Sequence, residues 1–86
     1  MQFDGAVIRE QGVTFAIAVV QRHIVENRSE AERAARGFSG AFPGLPVVLM
    51  GQDNHGRATY FGRPDIVNFL SGVSPNQIPW HRYTIN

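Results

Sequence analysis

Val13-Thr14-Phe15-Ala16-Ile17-Ala18-Val19-Val20 is the stretch on which the fold turns. Its odd positions, Val13, Phe15, Ile17 and Val19, are large and apolar, while Ala16 and Ala18 between them are small and apolar. A period of two marks a strand, and apolar residues on both of its faces mark a central strand covered by helices on at least one side. Upstream, Phe3 to Arg9 reads as a first strand closed by a turn at Glu10-Gln11-Gly12. So short a connection permits only an antiparallel hairpin.

Downstream, Ser29-Glu30-Ala31-Glu32 has the spacing of a capping box, with Ser29 as N-cap and Glu32 reaching back from the third helical position. Ala31, Ala34, Ala35 and Phe38 follow at helical spacing, with Glu30, Arg33 and Arg36 outward, and Gly37, Gly40 and Pro43 weaken and end the helix. Its mostly alanine stripe suits close packing on a sheet. Gln21-Arg22-His23 is expected to continue the central strand. Leu45 to Met50 reads as a buried strand, Asp53-Asn54-His55-Gly56 as a turn, and Arg57 to Phe61 as the returning strand. A second helix begins near Pro64, with Asp65 in its first turn, Ile66, Val67, Leu70 and Val73 inward, and Gly72 at its end. Trp80 to Ile85 adds a short last strand, placed at an edge because Pro79 cannot donate to a ladder. The helix between Val20 and Pro46 is long enough for its flanking strands to run parallel. The expected architecture is a single α+β domain, a two-layer sandwich. Its mixed sheet has four strands, five with the C-terminal one (ββαββα plus a strand), and two helices lie on one face.

The stretch from Leu45 to Val73 resembles the last third of a thioredoxin. Pro46 opens a buried strand, a hairpin turn containing Gly56 follows, and Gly62 after the return strand leads into a helix containing Phe69-Leu70. The chain lacks Cys-x-x-Cys and places one helix between Val20 and Pro46, where thioredoxins insert a further strand and helix. The resemblance therefore implies a hairpin and helix and no redox activity.

Composition narrows the chemistry. The chain has 86 residues, 43% of them apolar and 17% charged, with a net charge of +1. Such a length is one domain, and such a balance is that of a folded chain. A charge this small is far from the basic signature of a dedicated nucleic-acid domain. With no cysteine, disulfides and thiolate chemistry are excluded. All 8 basic residues are arginine, which removes Schiff-base and P-loop lysine chemistry. Arginine alone reflects either a G+C-rich genome or selection for bidentate contacts with carboxylate or phosphate. No apolar run suits a signal peptide or a membrane span, so a cytoplasmic location is expected.

Three stretches carry candidate sites. Asp53, His55 and Arg57 flank a hairpin tip; an Asp and a His two apart suit general acid/base work or metal ligation, and equally an ordinary turn. Gly62-Arg63-Pro64-Asp65 lies where a strand meets a helix N-terminus. Arg63 there would clamp an anion, or pair with a capping Asp65. Trp80-His81-Arg82-Tyr83 interleaves aromatic and basic groups, which with Arg57 and Tyr60 suits base stacking, while Trp80 alone suits the edge of a core or a subunit interface. No serine lies in a nucleophile elbow.

The leading expectation is a non-enzymatic, self-associating interaction module, a homodimer that binds a protein or peptide partner by its edge through Trp80, Arg82 and Tyr83. A chain this short buries only about 60% of its unfolded surface, so association supplies missing burial. The alternative is a small anionic-ligand or enzymatic site around His55, Arg57, Arg63 and His81. Single-stranded nucleic acid on Trp80, Arg82 and Tyr60 is the third reading, disfavoured by the charge. No cofactor, metal or membrane partner is expected.

Overall fold

The structure, a computed structural model, describes residues 1–85. Its elements run β1 (Gln2–Glu10), β2 (Val13–Val19), α1 (Arg22–Glu26), α2 (Arg28–Ser39), β3 (Val47–Gln52), β4 (Ala58–Phe61), α3 (Pro64–Ser71), a 3-10 turn at Pro75–Gln77, and β5 (His81–Thr84). One mixed sheet holds all five strands in the order β4-β3-β2-β1-β5. β2 and β3 are parallel, and the β1–β2, β1–β5 and β3–β4 pairs are antiparallel. The α+β class, the mixed sheet, the parallel crossover and the C-terminal edge strand are as the sequence implies. So are the hairpin and helix of the thioredoxin-like stretch, which form β3, β4 and α3. At the β1–β2 turn Gln11 and Gly12 both have positive φ, 53° and 78°. That is the backbone of the tight two-residue hairpin loops whose twist matches the strands.

The two helices expected on one face lie instead on opposite faces. Ala16, Ala18 and Leu49 pack with Val25 of α1 and with Ala31 and Phe38 of α2. On the other side Phe15, Ile17, Val48 and Met50 pack with Ile66 and Leu70 of α3 and with Ile78. The sandwich thus has a helical layer on each side of the sheet. The reason is connectivity. α3 and the chain after it must carry the polypeptide from β4 at one edge to β5 at the other, and α1 and α2 already occupy one face.

Two further expectations are corrected. Gln21-Arg22-His23 does not prolong β2; it turns into α1, which sets Ile24 and Val25 on the sheet. Gly51 permits the approach: a Cβ there would stand 3.0 Å from both the Arg22 Cα and the Val25 Cγ2. The N-cap of α2 is Asn27 rather than Ser29. Asn27 is extended (φ −109°, ψ 113°), and its Oδ1 accepts the Glu30 N–H at 3.1 Å. Glu32, expected to reach back to a cap, accepts from the Arg28 Nε at 3.4 Å instead. Asn27 wins because it also ends α1, so the one extended residue serves both helices.

Asn27→Ala is expected to destabilise the chain by about 1 kcal/mol, the usual worth of a lost cap. Ser29→Ala, within the first turn, should change stability by less than about 0.5 kcal/mol. Urea unfolding of the two variants checks this, and equal losses would return the cap to Ser29.

Candidate functional site

The sheet order separates the charged residues proposed to converge. Arg57 precedes β4 and Arg63 follows it, with the whole strand between them. His81 opens β5 at the opposite edge, four strand spacings or about 19 Å away. His55, Arg57, Arg63 and His81 therefore share no concavity. The hairpin tip is built around Asp53. Its Oδ1 accepts the His55 and Arg57 backbone N–H groups at 2.8 and 2.9 Å, and its Oδ2 accepts the Arg57 Nε at 3.2 Å. The backbone N–H of Arg57 and, more weakly, those of His55 and the guanidinium hold the Asp53 carboxyl below its ordinary value against a partial desolvation. These are the bonds of a turn-forming aspartate.

Arg63 donates to Asp65 through Nε at 2.9 Å and Nη2 at 2.7 Å, a bidentate pair at the start of α3. The anion that this helix end would attract is its own aspartate, whose pKa the Arg63 hydrogen bonds lower. Arg82 likewise donates to the Asp4 Oδ1 at 3.1 Å. In all, 5 of the 8 arginines stand in ion pairs with carboxylates, of which Asp53 is the least exposed at 20%. Among the described residues no group of three His, Asp or Glu side chains gathers as a metal site would require.

The aromatic residues are mostly structural. Trp80 donates its indole N–H to the Pro75 carbonyl at 3.0 Å and packs on the α3-side core. Tyr83 stacks on Phe3, with centroids 5.4 Å apart, and meets Phe42 edge-on at 5.0 Å. Tyr60 lies on β4, at the far edge from Trp80 and Arg82, so the three form no continuous stacking surface. The Tyr60 hydroxyl is buried without a hydrogen-bond partner among the described residues, and burial pushes its pKa up.

What does come together is the β1–β5 edge. Trp80, His81 and Arg82 meet Asp4, Gln52 and Asn76 around a cavity of about 340 Å³ on the α3 side. Beside it the edge is stepped. β1 is 9 residues long, but β5 has only 4 and pairs with Gln2, Phe3, Asp4 and Gly5 alone. Met1 and Ile85 exchange reciprocal bonds of 2.9 and 2.8 Å. In an antiparallel pair this pattern alternates, so the odd residues of β1 turn their N–H and C=O groups outward toward β5's row. At its lower end the chain leaves that row, as the Trp80 N–H turns back to the Ile78 carbonyl at 2.9 Å. Val7 and Arg9 therefore direct their backbone groups to an edge that no strand among the described residues covers. Val7 is 42% exposed, and apart from Met1 it is the one exposed large apolar side chain among the described residues. Arg9 pairs with no carboxylate among those residues. Sequence reasoning missed both; the signal was a first strand longer than any partner the last segment could supply.

Compared with known proteins, the chain matches no family model, no curated protein and no solved structure. Among the described residues no helix is long and apolar enough to cross a membrane.

The hairpin tip yields a pH test. Asp53's pKa lies lower in the folded chain than its ordinary 3.8. Its contribution to stability is therefore present above that value and is lost as pH falls through the folded one. Carboxyl-carbon NMR should give an Asp53 midpoint below 3.8, with the His55 and Arg57 amides losing protection at the same pH. A midpoint at or above the ordinary value contradicts this account of the turn.

Proposed function

We propose that the chain is a non-enzymatic interaction module that takes an extended segment of a partner protein as an added strand along residues 6–10 of β1. The observation that carries the reading is the uncovered part of β1, with Val7 and Arg9 facing outward at the step where β5 ends. Main-chain hydrogen bonds supply affinity in strand addition, and alternate side chains supply specificity. Val7 and Arg9 alternate on one face, the α2 side, as Phe3 does. The matching segment carries an apolar residue beside Val7 and, two positions away, a carboxylate beside Arg9. Each such cross-strand pair is worth about 0.2–1 kcal/mol, and with main-chain bonding this suits a reversible interaction. A dedicated enzyme is disfavoured because Asp53 with Arg57 and Arg63 with Asp65 are paired off in a turn and a helix start, away from His81.

Self-association would use this same edge, since helices cover both faces of the sheet. Two β1 strands meeting antiparallel must pair odd residues with odd residues. The register that uses the whole open segment sets Val7 of one copy opposite Arg9 of the other. Pairing Val7 with Val7 would instead force Arg9 against Gly5, a place already held by His81.

Val7→Pro tests the reading. Proline removes an outward N–H, whereas the bonds from β1 to β2 come from its even residues, and edge strands tolerate proline. Heptapeptides selected from a random library on the wild-type chain should bind Val7→Pro at least tenfold more weakly and should protect the Val7 and Arg9 amides from exchange. Val7→Lys serves if the proline variant does not fold. Peptides that bind the variants equally, or an empty selection, overturn the proposal. Sedimentation equilibrium of wild type and Val7→Pro reads self-association in the same way: a dimer that persists in the variant does not use this edge.

A further inference from the structure

On the α3 side of the sheet, at the end where β1 begins and β2 finishes, the cavity of about 340 Å³ combines an ion pair with apolar walls. Arg82 pairs with Asp4 across β5 and β1, and Val19 with Met50 across β2 and β3. Gly5 pairs with Ala18 across β1 and β2, which sets Asp4 beside Val19. Arg82, Asp4, Val19 and Met50 thus form one row across four strands. The row faces α3, since Val19 and Met50 pack on the α3-side core and side chains of one row share a face. It makes the floor of the cavity. Trp80, on the same face, and the turn at Pro75 and Asn76 form the walls, and Gln52 closes the end beyond Met50. The indole is held in place by its bond to the Pro75 carbonyl.

We infer that this cavity binds the guanine base of a free nucleotide, whose sugar and phosphate stay outside. Asp4 accepts from the ring N1–H and the exocyclic amine, Arg82 donates to O6 and N7, and the ring lies over Val19 and Met50 beside the indole. Three features support the assignment. A single bond of 3.1 Å, from the Arg82 Nη1 to the Asp4 Oδ1, joins the two charged side chains. Among the described residues the Asp4 Oδ2 and the other guanidinium donors are unused, and they stand side by side. Guanine's edge runs acceptor, acceptor, donor, donor, so it meets a guanidinium and a carboxylate placed together. Adenine and cytosine each offer one donor group, which serves one carboxylate oxygen. Both side chains are half-exposed or more, 63% for Arg82 and 51% for Asp4, so their free atoms are open to a ligand. The pair is neutral as a whole, which suits an uncharged base, and the apolar floor with one aromatic wall suits its ring. Arg82 is the one arginine among the described residues that line the cavity, so no basic track leads from it along which a nucleic-acid strand would lay its phosphates.

The inference is independent of strand addition, because residues 6–10 take no part in the cavity. The test is an amide NMR titration of the ¹⁵N-labelled chain with guanosine 5′-monophosphate. The chain has 1 tryptophan, so one indole N–H peak reports on the wall. It should shift saturably together with the Asp4, Val19, Asn76 and Arg82 amides. The adenosine, cytidine and inosine monophosphates carry the same sugar and phosphate, and each should bind about tenfold more weakly for want of a donor to Asp4. Asp4→Asn and Arg82→Gln should each raise the Kd for guanosine monophosphate about tenfold in a chain whose spectrum shows it folded. A pentaribonucleotide with one central guanine should bind within about threefold of the mononucleotide. Absent shifts overturn the proposal, as do shifts confined to other surfaces. Equal binding of the four mononucleotides overturns the guanine assignment, and unchanged affinity in both variants overturns the role of the ion pair. Much tighter binding of the pentaribonucleotide overturns the free nucleotide as the ligand.

Discussion

The structure depends on β2 being apolar on both faces and paired on both edges. Ala16, Ile17 and Ala18 are wholly buried, and Phe15 is 1% exposed. A strand of this kind at the centre of a sheet is stable only when two layers cover it, and everything else in the chain supplies them. Its small face, Ala16 and Ala18, meets the alanine side of α2, so helix and sheet come close where neither has bulk. Its large face, Phe15 and Ile17, meets the branched side chains Ile66 and Leu70 of α3. The size of the side chains on each face matches the helix that covers it, as interiors packed at the density of organic crystals require.

That correspondence explains which parts of the fold were legible. Period-two alternation located β2, and with it the hairpin to β1, the crossover to β3 and the sheet's mixed character. The placement of both helices on one face failed although its contradiction was in the same residues. Two apolar faces on one strand and two amphipathic helices of different bulk already imply one helix for each face. What the local pattern could not carry was connectivity, because the order β4-β3-β2-β1-β5 rests on long-range pairings such as Asp4 with Arg82. The helix start failed for a different reason. Asn27 and Ser29 are both good caps, and the choice between them lies in α1, a helix of 5 residues too short for a periodic signal.

The fold gathers only some of the residues that the sequence singled out, and the open segment of β1 was not among them. Trp80, His81 and Arg82 do line one cavity at the C-terminal edge. Spacing along the chain says little about His55, Arg57, Arg63 and His81, because a strand order that puts β4 and β5 at opposite edges scatters them. Arginine content misleads in the same way. Each of Arg57, Arg63 and Arg82 has a carboxylate within reach, at two or four positions in the chain or across a strand pair, and only the last of these needs the fold to be known.

A small domain with both faces covered has little surface left on which to act: its edges and the ends of its sheet. The β1–β5 corner holds both. β5 covers the upper half of β1 and so builds the aromatic cluster of Phe3, Phe42 and Tyr83 beneath it, while its shortness leaves the lower half unpaired. Lengthening β5 would set Pro79, which has no N–H to donate, opposite Val7. Pro79 thus keeps the edge open, and the surface it frees lies on β1 rather than on the Trp80 segment that sequence reading took for a contact surface.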